Sequence, residues 1–119
     1  MDTRVRSRFQ VFLLPNLYGD IITDEAAQLQ GGVGTAGSAN LGDQYAMFEA
    51  IHGSAPRMIE TGRGDYANPS SLLRAASMLL RHIARNEQAA KLDNALDAVG
   101  DKPREMTAEA YADMVIKSL

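Results

Sequence analysis

The chain has 119 residues, 45% of them apolar and 23% charged, with a formal net charge of −3 and no cysteine. That is enough for one globular core. It excludes a disulfide framework and thiolate chemistry, the basic footprint of a nucleic-acid binder, and any apolar run near the ~18–20 residues of a membrane-spanning helix.

Met1–Phe9 lacks the apolar stretch of a secretory signal, so a cytoplasmic protein is expected. Met1–Arg8 is charged and aperiodic and reads as a flexible lead-in. Phe9–Leu14 is an apolar, β-branched and aromatic run stopped by Pro15, the pattern of a buried strand. Asp20–Gln30 has helical spacing through Ile21, Ile22, Ala26 and Leu29, and Gly31-Gly32 ends it. Residues 31–44 are rich in Gly, Ser and Asn and read as an ordered loop. Tyr45–Ile51 has strand character and runs into a small-residue turn at His52, after which a loop holds Gly62 and Gly64. Asn68-Pro69 opens a long helix, with Asn as cap, Pro in the first turn, and Leu72, Leu73, Ala76, Leu79, Leu80 and Ile83 as its apolar face. Further helices fit Asn86–Val99, closed by Gly100, and a final segment from Thr107 through Ile116. No repeat or linker divides the chain, so residues 1–119 are expected to form a single α/β domain.

Three patterns carry chemistry. Asp20 and Asp24 are spaced i,i+4, which in a helix puts both carboxylates on one face. The bland reading is a solvated first turn, where acidic groups suit the helix dipole; the sharper one is a hard divalent cation, Mg²⁺ or Mn²⁺, held by oxygen ligands. Residues 32–37 spell G-x-G-x-x-G, but a helix precedes them and no helix opens within them. A dinucleotide fingerprint needs the opposite order, so these glycines are read as serving backbone geometry. His52-Gly53-Ser54-Ala55 is the better anion cradle, since small side chains allow close approach to successive N–H groups; an ordinary strand-to-turn connection is its alternative. His82, alone on the long helix, is read as structural.

NLYGDIITDEAA, GGVGTAGSANLG, FEAIHGSAP and ANPSSLLRAASMLLRHI occur in that order. Together they resemble the isocitrate/isopropylmalate dehydrogenase family, without a break from Phe9 to Ile83 and more weakly to the end. The resemblance implies a metal-dependent, NAD(P)-linked oxidative decarboxylase of a 2-hydroxy acid, a homodimer in the full-length enzyme. It implies that these residues are the C-terminal part of the large domain, with few strands and flanking helices. Asp20 and Asp24 match two metal-ligating aspartates; Glu49, His52, Gly53, Ser54 and Ala55 match the loop around the adenosine half of the dinucleotide, and Asn68 the asparagine at the adenine. Arg57 stands where NAD-using relatives commonly carry an aspartate, and its guanidinium suits a 2′-phosphate, yet the distal partners of NADP-users have no counterpart. The expectation is NAD, with NADP as alternative.

The wording of the motifs is nearer isocitrate than isopropylmalate enzymes. The third aspartate, the arginine cluster that grips substrate, and the general acid and base have no counterpart in the chain, so the isolated chain is expected to be inactive. The rival reading is a truncated, non-enzymatic module that binds nucleotide or another subunit.

Overall fold

The computed structural model describes residues 11–29 and 35–119. The chain order is helix α1 (Asn16–Leu29), strands β1 (Gly37–Leu41) and β2 (Ala46–Ala50), short helix α2 (Pro56–Glu60), a 3₁₀ turn (Gly64–Tyr66), then helices α3 (Ser70–His82), α4 (Asn86–Val99) and α5 (Ala108–Lys117). The lead-in at residues 1–8 and the Gly31-Gly32 stop lie outside the described residues. No helix among the described residues is long and apolar enough to cross a membrane.

β1 and β2 form an antiparallel hairpin in which Gly37 faces Ala50 and Leu41 faces Ala46. The Gly42 N–H closes its loop on the Tyr45 carbonyl at 2.9 Å. β1 corrects the expectation of a loop over 31–44. Gly-Ser-Ala-Asn has little intrinsic strand preference, so its ladder with β2 and its seat on α3 decide the conformation. The expected strand Phe9–Leu14 is also corrected, for Val11–Leu14 has no regular secondary structure, and Val11 and Leu13 lie in water. An apolar run supplies side chains for a strand but cannot supply the neighbouring strand that defines one. Helix α1 begins four residues before Asp20, because the Pro15 carbonyl already accepts the Gly19 N–H at 2.9 Å.

The hairpin lies against α3. A Cβ on Gly37 would stand 2.5 Å from the Ala75 nitrogen, so strand and helix backbones touch there. On the same hairpin face the Phe48 ring packs beside His82, centroids 5.4 Å apart, in keeping with a structural His82. The buried side of α3 is therefore small: Ser71, Ala75 and Ser77 are sealed, while Leu72, Leu79 and Ile83 are 58%, 42% and 54% exposed. This corrects the expected leucine face, of which Leu73 alone packs on the central cluster. Helical periodicity finds the greasiest stripe, but close backbone approach selects the smallest one.

The apolar core sits between α4 and α5, where Ala95, Leu96, Tyr111 and Val115 are buried against Leu73, Leu92, Val99 and Met106. The Tyr111 hydroxyl donates to the Gly100 carbonyl at 2.9 Å, tying α5 to the residue that ends α4. Gly100 adopts φ 72°, and the Thr107 hydroxyl caps α5 by accepting the Ala110 N–H at 3.2 Å, both as the sequence implies. Helix α3 ends in a Schellman arrangement, with the Arg85 N–H on the Leu80 carbonyl at 2.7 Å and the Ala84 N–H on that of Arg81 at 3.0 Å.

Charges join α3 to α4. Arg74 pairs with Asp93 at 3.3 Å and with Asp97, and Arg81 reaches the other Asp93 oxygen at 2.5 Å. Burial by itself raises the Asp93 pKa, but hydrogen bonds from Arg81, Ser77 and Arg74 outweigh it and hold the carboxyl below the ordinary range. Burial likewise opposes the Arg74 charge, and its bonds to Asp97 and Asp93 outweigh that and raise its pKa.

Two tests follow from the packing and the charges. Gly37→Ala forces its methyl into the α3 backbone and should lower unfolding stability by about 1–3 kcal/mol, read as a fall in urea midpoint; an unchanged midpoint would contradict the contact. Because the folded Asp93 pKa is depressed, its contribution is present above the unfolded value near ~3.9 and lost as pH falls through the folded value. Asp93→Asn should thus destabilise by about 1–2 kcal/mol at neutral pH, and the gap to wild type should shrink below pH ~4.

Candidate functional site

An open cleft of about 560 Å³ runs between α1 and the open end of the hairpin. Asp20, Thr23 and Asp24 form one wall, Ala36–Ser38 the floor, and Glu49–His52 the opposite side. Four of the nine predicted site residues therefore meet in one cavity: Asp20, Asp24, Glu49 and His52. Gly53, Ser54, Ala55, Arg57 and Asn68 do not line it; they follow outward from His52 along the turn, α2 and the start of α3.

The carboxylate wall follows from helical geometry, since one turn stacks Asp24 above Asp20. Both side chains are exposed. Thr23, between them, turns its hydroxyl inward and donates to the Gly19 carbonyl at 2.8 Å. Among the described residues no three His, Asp or Glu side chains gather closely enough to hold a metal ion. The two aspartates are nonetheless the donor set a hard cation accepts, because Mg²⁺ is usually held by one or two carboxylates with water completing its shell.

Opposite, Glu49 accepts a hydrogen bond from the Asn40 amide at 2.8 Å, a diagonal cross-strand contact on the face away from α3. Asn40 was missed by sequence reasoning because its stretch reads as loop; the alternation Ser38-x-Asn40 is the only signal it leaves. The His52 ring folds back so that Nδ1 lies 3.0 Å from the Gly53 carbonyl. A carbonyl only accepts, so this contact is made by an Nδ1–H donor.

Among the described residues, the backbone N–H groups of Gly53, Ser54 and Ala55 have no acceptor. Ala55 is held at φ 45°, ψ 56°, left-handed for a residue with a Cβ, as it enters α2 behind Pro56. The Arg57 guanidinium has no partner among the described residues, whereas Arg63 lies 5.4 Å over the Tyr66 ring and 3.9 Å from Glu105. Asn68 Oδ1 accepts the Ser70 N–H at 3.0 Å and its hydroxyl at 2.8 Å, bracing the start of α3 from one residue before the cap position, which falls on Pro69 and not on Asn68 as expected; its NH₂ group has no partner among the described residues.

Residues 3–117 match the family model described as isocitrate/isopropylmalate dehydrogenase. The chain belongs to that family. An NADP-named isocitrate dehydrogenase of Rickettsia bellii is 55% identical over 87 residues, 73% of this chain and 17% of the relative. The isocitrate/homoisocitrate dehydrogenase of Thermus thermophilus is 40% identical over 119 residues, 94% of this chain and 35% of the relative. A crystal structure of isocitrate dehydrogenase from Methylococcus capsulatus superposes with a TM-score of 0.85 at 33% identity, covering 94% of this chain and 35% of that one. The mixed helix-and-sheet fold expected for part of this dehydrogenase architecture is thereby found, and the chain spans only 17–35% of the length of these relatives.

The left-handed Ala55 is a local strain of about 1 kcal/mol. Ala55→Gly should relieve it and raise the chemical-denaturation midpoint by an amount of that order; a lowered midpoint would mean that the Ala55 methyl makes contacts outweighing the strain.

Proposed function

We propose that this chain supplies the adenosine-side turn and part of the metal site of a metal-dependent oxidative decarboxylase that acts on a 2-hydroxy acid. Isocitrate, converted to 2-oxoglutarate, is the substrate we favour; isopropylmalate is the alternative. The observation that carries the proposal is the shared cleft of Asp20, Asp24, Glu49 and His52. Family membership alone would not require these groups to converge.

Asp20 and Asp24 would hold Mg²⁺ or Mn²⁺ through carboxylate oxygens, with remaining ligands from water, substrate and a further carboxylate outside these residues. When bound, the cation draws electron density from the hydroxyl and carboxylate oxygens of the acid. The N–H groups of Gly53, Ser54 and Ala55 would take phosphate oxygens, and His52 Nε2 would accept a hydrogen bond from a ribose hydroxyl or adenine amine. The free NH₂ of Asn68 would bind an adenine nitrogen.

For the dinucleotide we assign NADP in preference to the NAD expected from sequence. The Arg57 guanidinium, unpaired among the described residues, offers a fork for a 2′-phosphate, and the Rickettsia bellii relative is NADP-named. A homodimer in the cytoplasm, its second subunit supplying the missing carboxylate, completes the proposal for the full-length enzyme; the 119 residues alone would bind ligands without turnover.

Mn²⁺ titration of the purified chain tests the half-site. Asp20→Asn and Asp24→Asn should each weaken binding by about tenfold, some ~1.4 kcal/mol. Equal affinity in wild type and both variants would remove the aspartates from the metal site, and turnover of isocitrate by the chain alone would overturn the division of labour.

A further inference from the structure

We propose that Ser71 is the positioning residue of the His52–Ala55 turn, acting as a hydroxyl wedge spliced into the end of the β1–β2 ladder. The proposal rests on the reading of that turn as nucleotide-binding. Register carries the argument. The Gly42–Tyr45 pair is hydrogen-bonded, and in an antiparallel ladder such pairs recur at every second position. Following the observed register outward, Asn40–Met47 and Ser38–Glu49 share that parity, and the next such pair beyond Gly37–Ala50 is Ala36–Ile51. There the Ile51 N–H should meet the Ala36 carbonyl directly.

It does not. The Ile51 N–H donates to Ser71 Oγ at 3.0 Å, and the Ser71 hydroxyl donates onward to the Ala36 carbonyl. The side chain comes from the start of α3 and is fully buried, while Ala36 and Ile51 on either side of it are half-buried at the edge of the cleft.

The wedge has a consequence for the cleft. Ala36 and Ile51 both line it, and Ile51 immediately precedes His52. By holding the two strands apart by the width of a hydroxyl, Ser71 ends the ladder and sends the chain toward the turn instead of along β1. The Gly37 contact with Ala75, one helical turn further along α3, fixes β1, so the wedge sets where residues 52–55 start. Without the hydroxyl, either the Ile51 N–H and the Ala36 carbonyl lose the partner that joins them, or the strands close on each other and pull His52 inward.

The test compares the 119-residue chain with Ser71→Ala, with Ser71→Cys as a space-filling loss of the hydroxyl in case alanine prevents folding, with Ser71→Thr to keep the hydroxyl, and with Ser77→Ala. Ser77 is an equally buried serine whose hydroxyl donates across to the Ala89 carbonyl, so it reports general destabilisation. Amide chemical shifts and hydrogen exchange are read at Ile51–Ala55, and affinity for NADP⁺ is measured on the same samples. Ser71→Ala, or Ser71→Cys if alanine does not fold, should shift the Ile51–Ala55 amides and weaken NADP⁺ binding by about tenfold. Ser71→Thr should restore the wild-type shifts, and Ser77→Ala should lower stability without moving them.

Unchanged amides in the altered chain would overturn the wedge. Moved amides with undiminished NADP⁺ affinity would overturn its role in binding. If wild type binds no NADP⁺ while the amides still move, the nucleotide reading fails and the wedge stands.

Discussion

The close approach between the Gly37 backbone and α3 at Ala75 governs most of what surrounds it. Two backbones can come that near only if one position lacks a Cβ and the facing residues are small. Glycine on β1 and Ser71, Ala75 and Ser77 on α3 meet that condition. A hairpin too short to be stable alone thus acquires a helix to lie on. Its far face, with Ser38 and Glu49, becomes the floor and side of the cleft, and α3 delivers Ser71 to the ladder's end.

The same economy of size governs the other side of α3. Ser77 and Ala89 are sealed at the crossing with α4, and the remaining polar groups are matched by Arg74 and Arg81 against Asp93 and Asp97. No buried side-chain polar atom among the described residues lacks a partner. The apolar contribution is concentrated further along, around Tyr111 and Val115, so the site stands at the polar, small-residue end of the molecule. A floor of packed backbone beneath an exposed turn holds the N–H groups of that turn in place without covering them.

Large apolar side chains meanwhile remain in water: Leu17, Ile21 and Leu29 on α1, Leu72 and Leu79 on α3, and Ile83 at its C-cap. The chain covers 35% or less of the dehydrogenases it matches. Such surface favours association, so concentration belongs among the variables of any binding measurement.

What the sequence determined was whatever is encoded by neighbours in the chain. The Thr107 cap, the Gly100 stop, the extents of α4 and most of α5, the Asn68 contact at the start of α3, and the shared helical face of Asp20 and Asp24 all follow from local rules. The motif order pointed to the right family, which residues 3–117 match. Tertiary structure alone decided β1, the buried side of α3, and the splice at Ser71. A strand of Gly, Ser, Ala and Asn exists only because β2 and α3 flank it. A serine two residues into a helix becomes a wedge only because a hairpin 20 and 35 residues earlier in the chain comes to rest on it. Contacts across such distances leave no period in the sequence, since their energy depends on fit between surfaces and not on the order of residues along one.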